Sequence, residues 1–250
     1  MIESVVNCDI GPGILLLGGR GTRLHPITDV VNKNLLPIYN KPLALHSFEF
    51  LENSGIQKIV VVTNPKDIDS FAELFEKNKK AKTEVFFAVQ EKPLGTANGI
   101  KQAEKYLTED HFFSLWGDNV FEFNLESSVS RNIDGLARLH LASVSNPQDF
   151  GVVEIDEEGR ITNIVDKPQI PKSNIVCTGF MGFKSQVFDM IKNISPNKKG
   201  EFDIMDAVRL IHSQGVLEYA FIKGNWIDAG VSFDTLLKAS ILAKECGFNK

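Results

Sequence analysis

Four short, continuous apolar runs, residues 13–17, 58–63, 83–89 and 112–116, alternate with segments patterned for helices. Each run lacks polar alternation and is too short for an ordinary helix, so each reads as a strand buried on both faces. Between them, residues 43–54 place Ala44, Phe48 and Leu51 at helical spacing and stop at Gly55, a residue suited to the left-handed position after a helix. Residues 67–78 read as a helix with a polar face, and Ile100, Ala103 and Leu107 mark another that starts near Gly95. Buried strands joined through helices predict a mostly parallel central sheet covered on both sides, a Rossmann-like α/β fold.

The second half changes character. In residues 136–143 Ala137, Leu139 and Leu141 alternate with Arg138 and His140, the period of a half-exposed strand. Residues 152–155 and 160–165 flank Asp156-Glu157-Glu158-Gly159 and read as a hairpin. Strands over 175–183 and 217–222 follow, with a helix carrying Ile204, Ala207, Val208 and Ile211 before Gly215 and a final helix over 231–244. With no Ser/Gly-rich linker and no internal repeat, the expectation is one domain over 1–250. A βα lobe over 13–125 precedes a mixed α/β lobe over 126–250 that includes the C-terminal helix.

Composition narrows the function. The chain has 250 residues, 43% hydrophobic and 24% charged, which places it among globular proteins rather than disordered or fibrous ones. A net charge of −5 gives no electrostatic footprint for nucleic acid. Its apolar runs fall far short of the ~20 residues that span a bilayer, so no membrane partner is expected. The start, MIESVVNCDIGPG, has no basic region of a secretory signal. Cys8, Cys177 and Cys246 are three in number and widely spaced, which suggests neither a disulfide framework nor a zinc site and fits a cytoplasmic location.

The most informative segment is Leu17-Gly18-Gly19-Arg20-Gly21-Thr22-Arg23-Leu24. Three glycines in four positions directly after a strand let the backbone approach a ligand closely, and successive N–H groups there can cradle phosphate oxygens. Arg23 adds a forked cationic donor. The dinucleotide pattern fails because Leu24 stands where its third glycine belongs, and no Gly-Lys-Ser/Thr phosphate loop occurs. A glycine-rich turn with a solvated arginine is the plainer alternative. Lys33, between Val31 and Leu35-Leu36, is placed to add a second cation. Asp118 and Asp228 follow expected strand ends, where ligand crevices of open sheets lie, and a pair of carboxylates there suits Mg²⁺. Taken singly, each aspartate also fits a turn or a helix cap. The histidines His25, His46, His111, His140 and His212 show no ligand spacing, and Trp116 and Trp226 read as packing residues at strand ends.

The runs LGGRGTRLHPIT, KNLLPIYNKP, VQEKPLGTANGI, WGDN, FGVVEIDEEGRITNIVDKP, PKSNIVCTGF, GEFDIMD and NWIDAG together resemble the sugar-1-phosphate nucleotidylyltransferases. Their order and spacing are most similar to the glucose-1-phosphate thymidylyltransferases, over about residues 13–245. The resemblance implies that Leu17, Gly18, Gly19, Gly21, Thr22 and Arg23 wrap the nucleoside triphosphate, and that Gln90 and Gly95 read the base edge. It implies catalytic roles for Arg23, Lys33 and Asp118, and a Mg²⁺ ion held by Asp118 and Asp228. Gly151, Asp166, Lys167, Thr178 and Lys199 match the sugar-phosphate site. The implied reaction joins a nucleoside triphosphate, dTTP by best match, to a sugar 1-phosphate, glucose 1-phosphate by best match, and releases pyrophosphate. A homo-oligomer is compatible with the resemblance.

Several positions depart from the thymidylyltransferase pattern. Asn34 replaces glutamine, Leu94-Gly95-Thr96-Ala97 replaces Asp-Gly-Leu-Ala, and Phe150 replaces tyrosine. Asp166 replaces glutamate, Cys177 valine, and Lys199 arginine, with loss of bidentate geometry at Lys199. UTP or another triphosphate with a different sugar therefore stays open. Longer members continue beyond the last helix, so feedback by a downstream deoxysugar nucleotide is not expected of a chain ending at Lys250. A non-catalytic nucleotide-sugar-binding subunit is the remote alternative, disfavoured because Arg23, Lys33, Asp118, Lys167 and Asp228 are all present.

Overall fold

The computed structural model describes residues 10–122 and 133–246; Cys8 and the rest of the N-terminal segment lie outside them. Strand β1 (Gly13–Leu16) stands at the centre of one half. The two-residue strands β2 (Pro37–Ile38) and β3 (Lys41–Pro42) form a small hairpin that feeds helix α1 (Leu43–Asn53). There follow β4 (Lys58–Thr63), α2 (Ile68–Asn78), β5 (Glu84–Val89), α3 (Thr96–Ala103), β6 (His111–Trp116) and β7 (Asn119–Phe121). The second half runs β8 (Ala137–Ser143), β9 (Gly151–Ile155), β10 (Ile161–Asp166), β11 (Ile175–Lys184), α4 (Val187–Asn193) and α5 (Ile204–Ser213). It ends with β12 (Leu217–Phe221), β13 (Trp226–Asp228) and α6 (Phe233–Glu245).

Among the described residues nine strands share one sheet in the order β10-β9-β11-β6-β1-β4-β5, with β8 branching from β11 and β12 pairing β8. The pairs β6–β1, β1–β4 and β4–β5 are parallel, as the buried apolar runs predict. β11 then runs antiparallel to β6 and carries the sheet into the second half. Alternation along the strands divides the core in two. Ile14, Phe112, Met181 and Phe183 pack with α3, α4 and α5 on one face; Leu15, Phe113, Leu115 and Phe180 pack with α1 and α2 on the other. α6 closes a smaller cluster with Ile38, Leu43, Val120 and Ala229.

Local chemistry explains the helix limits. α1 ends as Gly55 turns to φ +88°, while the Gly55 and Ile56 amides donate to Glu52 O and Leu51 O, a Schellman closure with Leu51 and Ile56 both in the core. α6 opens on Ser232, whose hydroxyl accepts from the Thr235 amide while the Thr235 hydroxyl accepts from the Ser232 amide.

Three expectations are corrected. β5, at the end of the sheet, is mostly half-buried rather than buried on both faces. β8 is buried rather than half-exposed: Arg138 and His140 are 7% and 1% accessible. β8 is paired on both sides, with Arg138 on Glu218 directly opposite in β12 and His140 Nδ1 on Phe180 O, while His140 Nε2 is buried without a partner. α3 stops at Ala103, and Leu107 is already extended at φ −100°, ψ 118°. The helix α4 and the pairing of β13 with β7 were not foreseen, the first for its brevity and the second because its partners are far apart in sequence.

Candidate active site

The glycine loop leaves β1 at the carboxyl edge of the parallel strands. Leu17 and Gly18 are buried, whereas Gly19, Arg20, Thr22 and Arg23 face solvent. Gly21 is held at φ +66°, a left-handed conformation that favours glycine, and the Thr28 hydroxyl donates to its carbonyl at 2.9 Å. Gln90, at the end of β5, lies against this loop: a Cβ on Gly18 would lie 2.7 Å from Gln90 Oε1. Its Nε2 donates to Gly95 O and Asn98 Oδ1, each at 3.0 Å. Gly18, distant in sequence from Gln90 and Gly95, therefore shares one corner with them.

Lys33 rides on a short turn fixed from behind by asparagines. Asn32 Oδ1 accepts the Asn34 amide, and Asn32 Nδ2 donates to Leu17 O at 3.0 Å and Asp67 Oδ2 at 2.8 Å. The turn aims Lys33 at the glycine loop and at Asp118: Nζ forms an ion pair with Asp118 Oδ2 and would lie 3.6 Å from a Cβ on Gly19. Asp118 follows β6, and the flanking Gly117 and Asn119 carbonyls both accept from the buried Ser47 hydroxyl at 3.1 and 2.9 Å. Asp228 arrives on β13, in register with Asn119, and the Ala229 amide donates to Asp118 O at 2.8 Å. The two aspartates thus meet.

Electrostatics record the same convergence. Burial works against the charge on Lys33, but Asp118 and then Asp228 outweigh it and hold the ammonium pKa above its ordinary value. Burial likewise opposes ionisation of Asp118, and the Lys33 charge and hydrogen bond overcome it, so that carboxyl lies below the usual range. At Asp228 burial and then the Asp118 charge outweigh the pull of Lys33 and Arg23 and push the carboxyl up to about 7. Arg23 also acts on both Lys33 and Asp228.

Three residues with no assigned role prove central. Asn119 is fully buried; its Nδ2 donates to Asp118 Oδ1 at 3.0 Å, and its Oδ1 accepts from Trp226 Nε1 at 2.6 Å and the Gly179 amide at 2.9 Å. Gly230 backs the ion pair: a Cβ there would collide with Asp118 Oδ2 and lie 3.1 Å from Lys33 Nζ. Ser47 lies on the inner face of α1, where only its polarity amid apolar neighbours could have marked it.

The sugar-phosphate candidates lie on the second half. Gly151 and Asp166 face each other in register on β9 and β10, and the Lys167 amide donates to Phe150 O at 2.9 Å. Lys167 sits at φ +45°, an uncommon conformation for a residue with a side chain, of the kind that clusters at functional sites. Its Nζ is 4.0 Å from Asp166 Oδ1 and both side chains are half-exposed. Thr178 is fully buried with its hydroxyl donating to His140 O, so the exposed hydrogen-bonding capacity in this corner belongs to Asp166 and Lys167. Lys199 projects from an exposed turn that Asn197 Oδ1 organises by accepting the Lys199 and Glu201 amides. Trp226 packs on Phe150, ring centroids 5.4 Å apart, as a packing residue should, whereas Trp116 Nε1 is buried without a partner.

A glycine loop gathered with the cationic side chains of Arg23 and Lys33 and a carboxylate pair suits polyphosphate chemistry. The family model described as "Nucleotidyl transferase" matches residues 12–245. The chain belongs to the nucleotidyl transferase family. This nucleotidyl transferase is 33% identical over 236 residues to the low-salt glycan biosynthesis nucleotidyltransferase Agl11 of Haloferax volcanii, covering 93% of this chain and 66% of that protein. It is 35% identical over 225 residues to a glucose-1-phosphate thymidylyltransferase of Neisseria meningitidis, covering 87% and 77% respectively. Among solved structures, a Bacillus anthracis protein assigned as a glucose-1-phosphate thymidylyltransferase and solved with sucrose superposes at a TM-score of 0.86. Identity there is 32%, over 96% of this chain and 97% of that one. Among the described residues no helix is long and apolar enough to cross a membrane.

Proposed function

We propose that this chain transfers a nucleotidyl group from a nucleoside triphosphate to a sugar 1-phosphate, with dTTP and glucose 1-phosphate as the preferred pair. The observation that carries it is the meeting of Lys33, Asp118 and Asp228 beside the glycine loop. The names of the Neisseria and Bacillus proteins support the choice of substrates.

Both reactants are anions, so the site must suppress their repulsion while aligning them. An oxygen of the sugar phosphate attacks the α-phosphorus, a P–O bond forms, and the bond to the β-phosphate breaks with its electrons leaving on pyrophosphate. No covalent enzyme intermediate is needed, and positioning with electrostatics supplies the rate. In this reading Gly18, Gly19 and Gly21 present amides to the triphosphate, Gln90 and Gly95 meet the base, and Arg23 and Lys33 offset charge growing on the leaving group. Lys167 and Asp166 hold the sugar phosphate. The carboxylates fit a hard divalent cation, and no third acidic or histidine ligand joins them among the described residues, which leaves coordination for phosphate and water. When bound, Mg²⁺ would supply Lewis-acid neutralisation of the phosphates from Asp118 and Asp228.

Asp166 favours a second reading, a different sugar, because its carboxylate reaches one methylene less far than the glutamate of the thymidylyltransferase pattern. A panel of triphosphates crossed with sugar 1-phosphates, with and without Mg²⁺ and read by pyrophosphate release, tests the assignment. Highest turnover is expected for dTTP with glucose 1-phosphate; no Mg²⁺-dependent release from any pair would overturn it.

A further inference from the structure

We infer that Lys33 is the resident counter-cation of the carboxylate pair and competes with the divalent ion for Asp118, so that nucleotide phosphates must draw the ammonium away before or as the metal loads. This rests on the proposed cation site at Asp118 and Asp228.

The geometry places one ammonium between two anionic demands. Lys33 Nζ is paired with Asp118 Oδ2, and the two side chains are only 17% and 11% accessible. Asp228 acts on the same ammonium. On its other side the Lys33 stem borders the glycine loop, with Cε 3.5 Å and Nζ 3.6 Å from the Cβ position of Gly19. The backbone beneath cannot contribute to an exchange, because Asn32 ties its turn to Leu17 O and Asp67. Rotation of the flexible four-carbon stem is therefore the available movement, from carboxylate to a phosphate seated at the loop.

A divalent cation arriving without nucleotide meets a carboxylate already neutralised by a neighbour of its own sign. It must displace the ammonium from a partly dry site, where like charges repel more strongly than in water. Arg23 adds to that repulsion. A triphosphate inverts the balance by offering Lys33 another anionic partner and freeing Asp118. The lysine so placed prevents unproductive metal loading and sets an order of binding.

The test measures Mn²⁺ alone binding to the nucleotide-free protein, from the free-ion electron paramagnetic resonance signal, in the wild type and in Lys33→Met, which keeps the apolar stem and loses the charge. Lys33→Gln serves as a second neutral variant should the first fail to fold. Either variant is expected to bind Mn²⁺ about tenfold more tightly, equivalent to about 1.4 kcal/mol. Affinity equal to or weaker than wild type in the folded variants overturns the inference. Asp118→Asn in the Lys33→Met background separates the two levels. If it abolishes binding while Lys33→Met alone gave no tightening, only the counter-cation role falls. If it leaves Mn²⁺ binding unchanged, the proposed cation site falls with it.

Discussion

Replacing Asp228 by asparagine should make the protein more stable as it destroys turnover. Asp228 keeps a hydrogen bond from the Gly230 amide at 2.9 Å but forms no ion pair among the described residues, and the more distant pull of Lys33, paired with Asp118, and of Arg23 is outweighed. Burial and the Asp118 charge push its carboxyl from 3.8 to about 7. A displacement of that size corresponds to about 4 kcal/mol, and residual solvent contact at Asp228 reduces the expected cost of its charge to about 2 kcal/mol. The native state keeps the proton that the unfolded chain gives up above its ordinary carboxyl value. Stability from this group therefore declines as pH rises from about 4 to about 7, then stays level. Asp228→Asn removes that decline. Urea unfolding in EDTA, for wild type and variant at pH 5 and pH 8, should show the variant gaining stability at both, with the larger gain at pH 8. A difference that is independent of pH, or larger at pH 5, would refute the assignment of a buried, under-compensated charge to Asp228.

Gly230→Ala puts a methyl group into Asp118 Oδ2 and within 3.1 Å of Lys33 Nζ; pyrophosphate release should fall by at least about 100-fold, as active-site displacements of about 1 Å do, with circular dichroism unchanged. Thr96 joins the start of α3 to that of α5: its hydroxyl donates to Asp203 Oδ1 at 3.2 Å and accepts the Ile204 amide at 2.9 Å. Thr96→Val should loosen the Gly95 corner and raise KM for the triphosphate several-fold while KM for the sugar phosphate holds, with recovery in Thr96→Ser.

Much of the architecture was legible because strands buried on both faces leave uninterrupted apolar runs; β4 falls on the very residues, 58–63, that the run marks. β8 misled because alternation reports polarity and burial together, and a charged residue facing its counter-ion breaks that link, as Arg138 does on Glu218. The glycine loop, Lys33 and the two aspartates stand out by residue type and spacing. Ser47, Asn119 and Gly230 do not, since their importance lies in what they touch across 60 or more residues, or in a methyl group they lack. Sequence periodicity has no term for either.

Asn119 draws the Asp118 carboxylate, the Trp226 indole and the β11 backbone at Gly179 onto one side chain amide. These come from opposite halves of the chain and meet beside the β6–β11 seam, where parallel pairing gives way to antiparallel. The electrostatic centre therefore exists only once both halves have docked, and neither fragment expressed by itself would possess it. Turnover becomes an all-or-none gauge of assembly, and mixing complementary fragments should restore it only in proportion to the docked fraction.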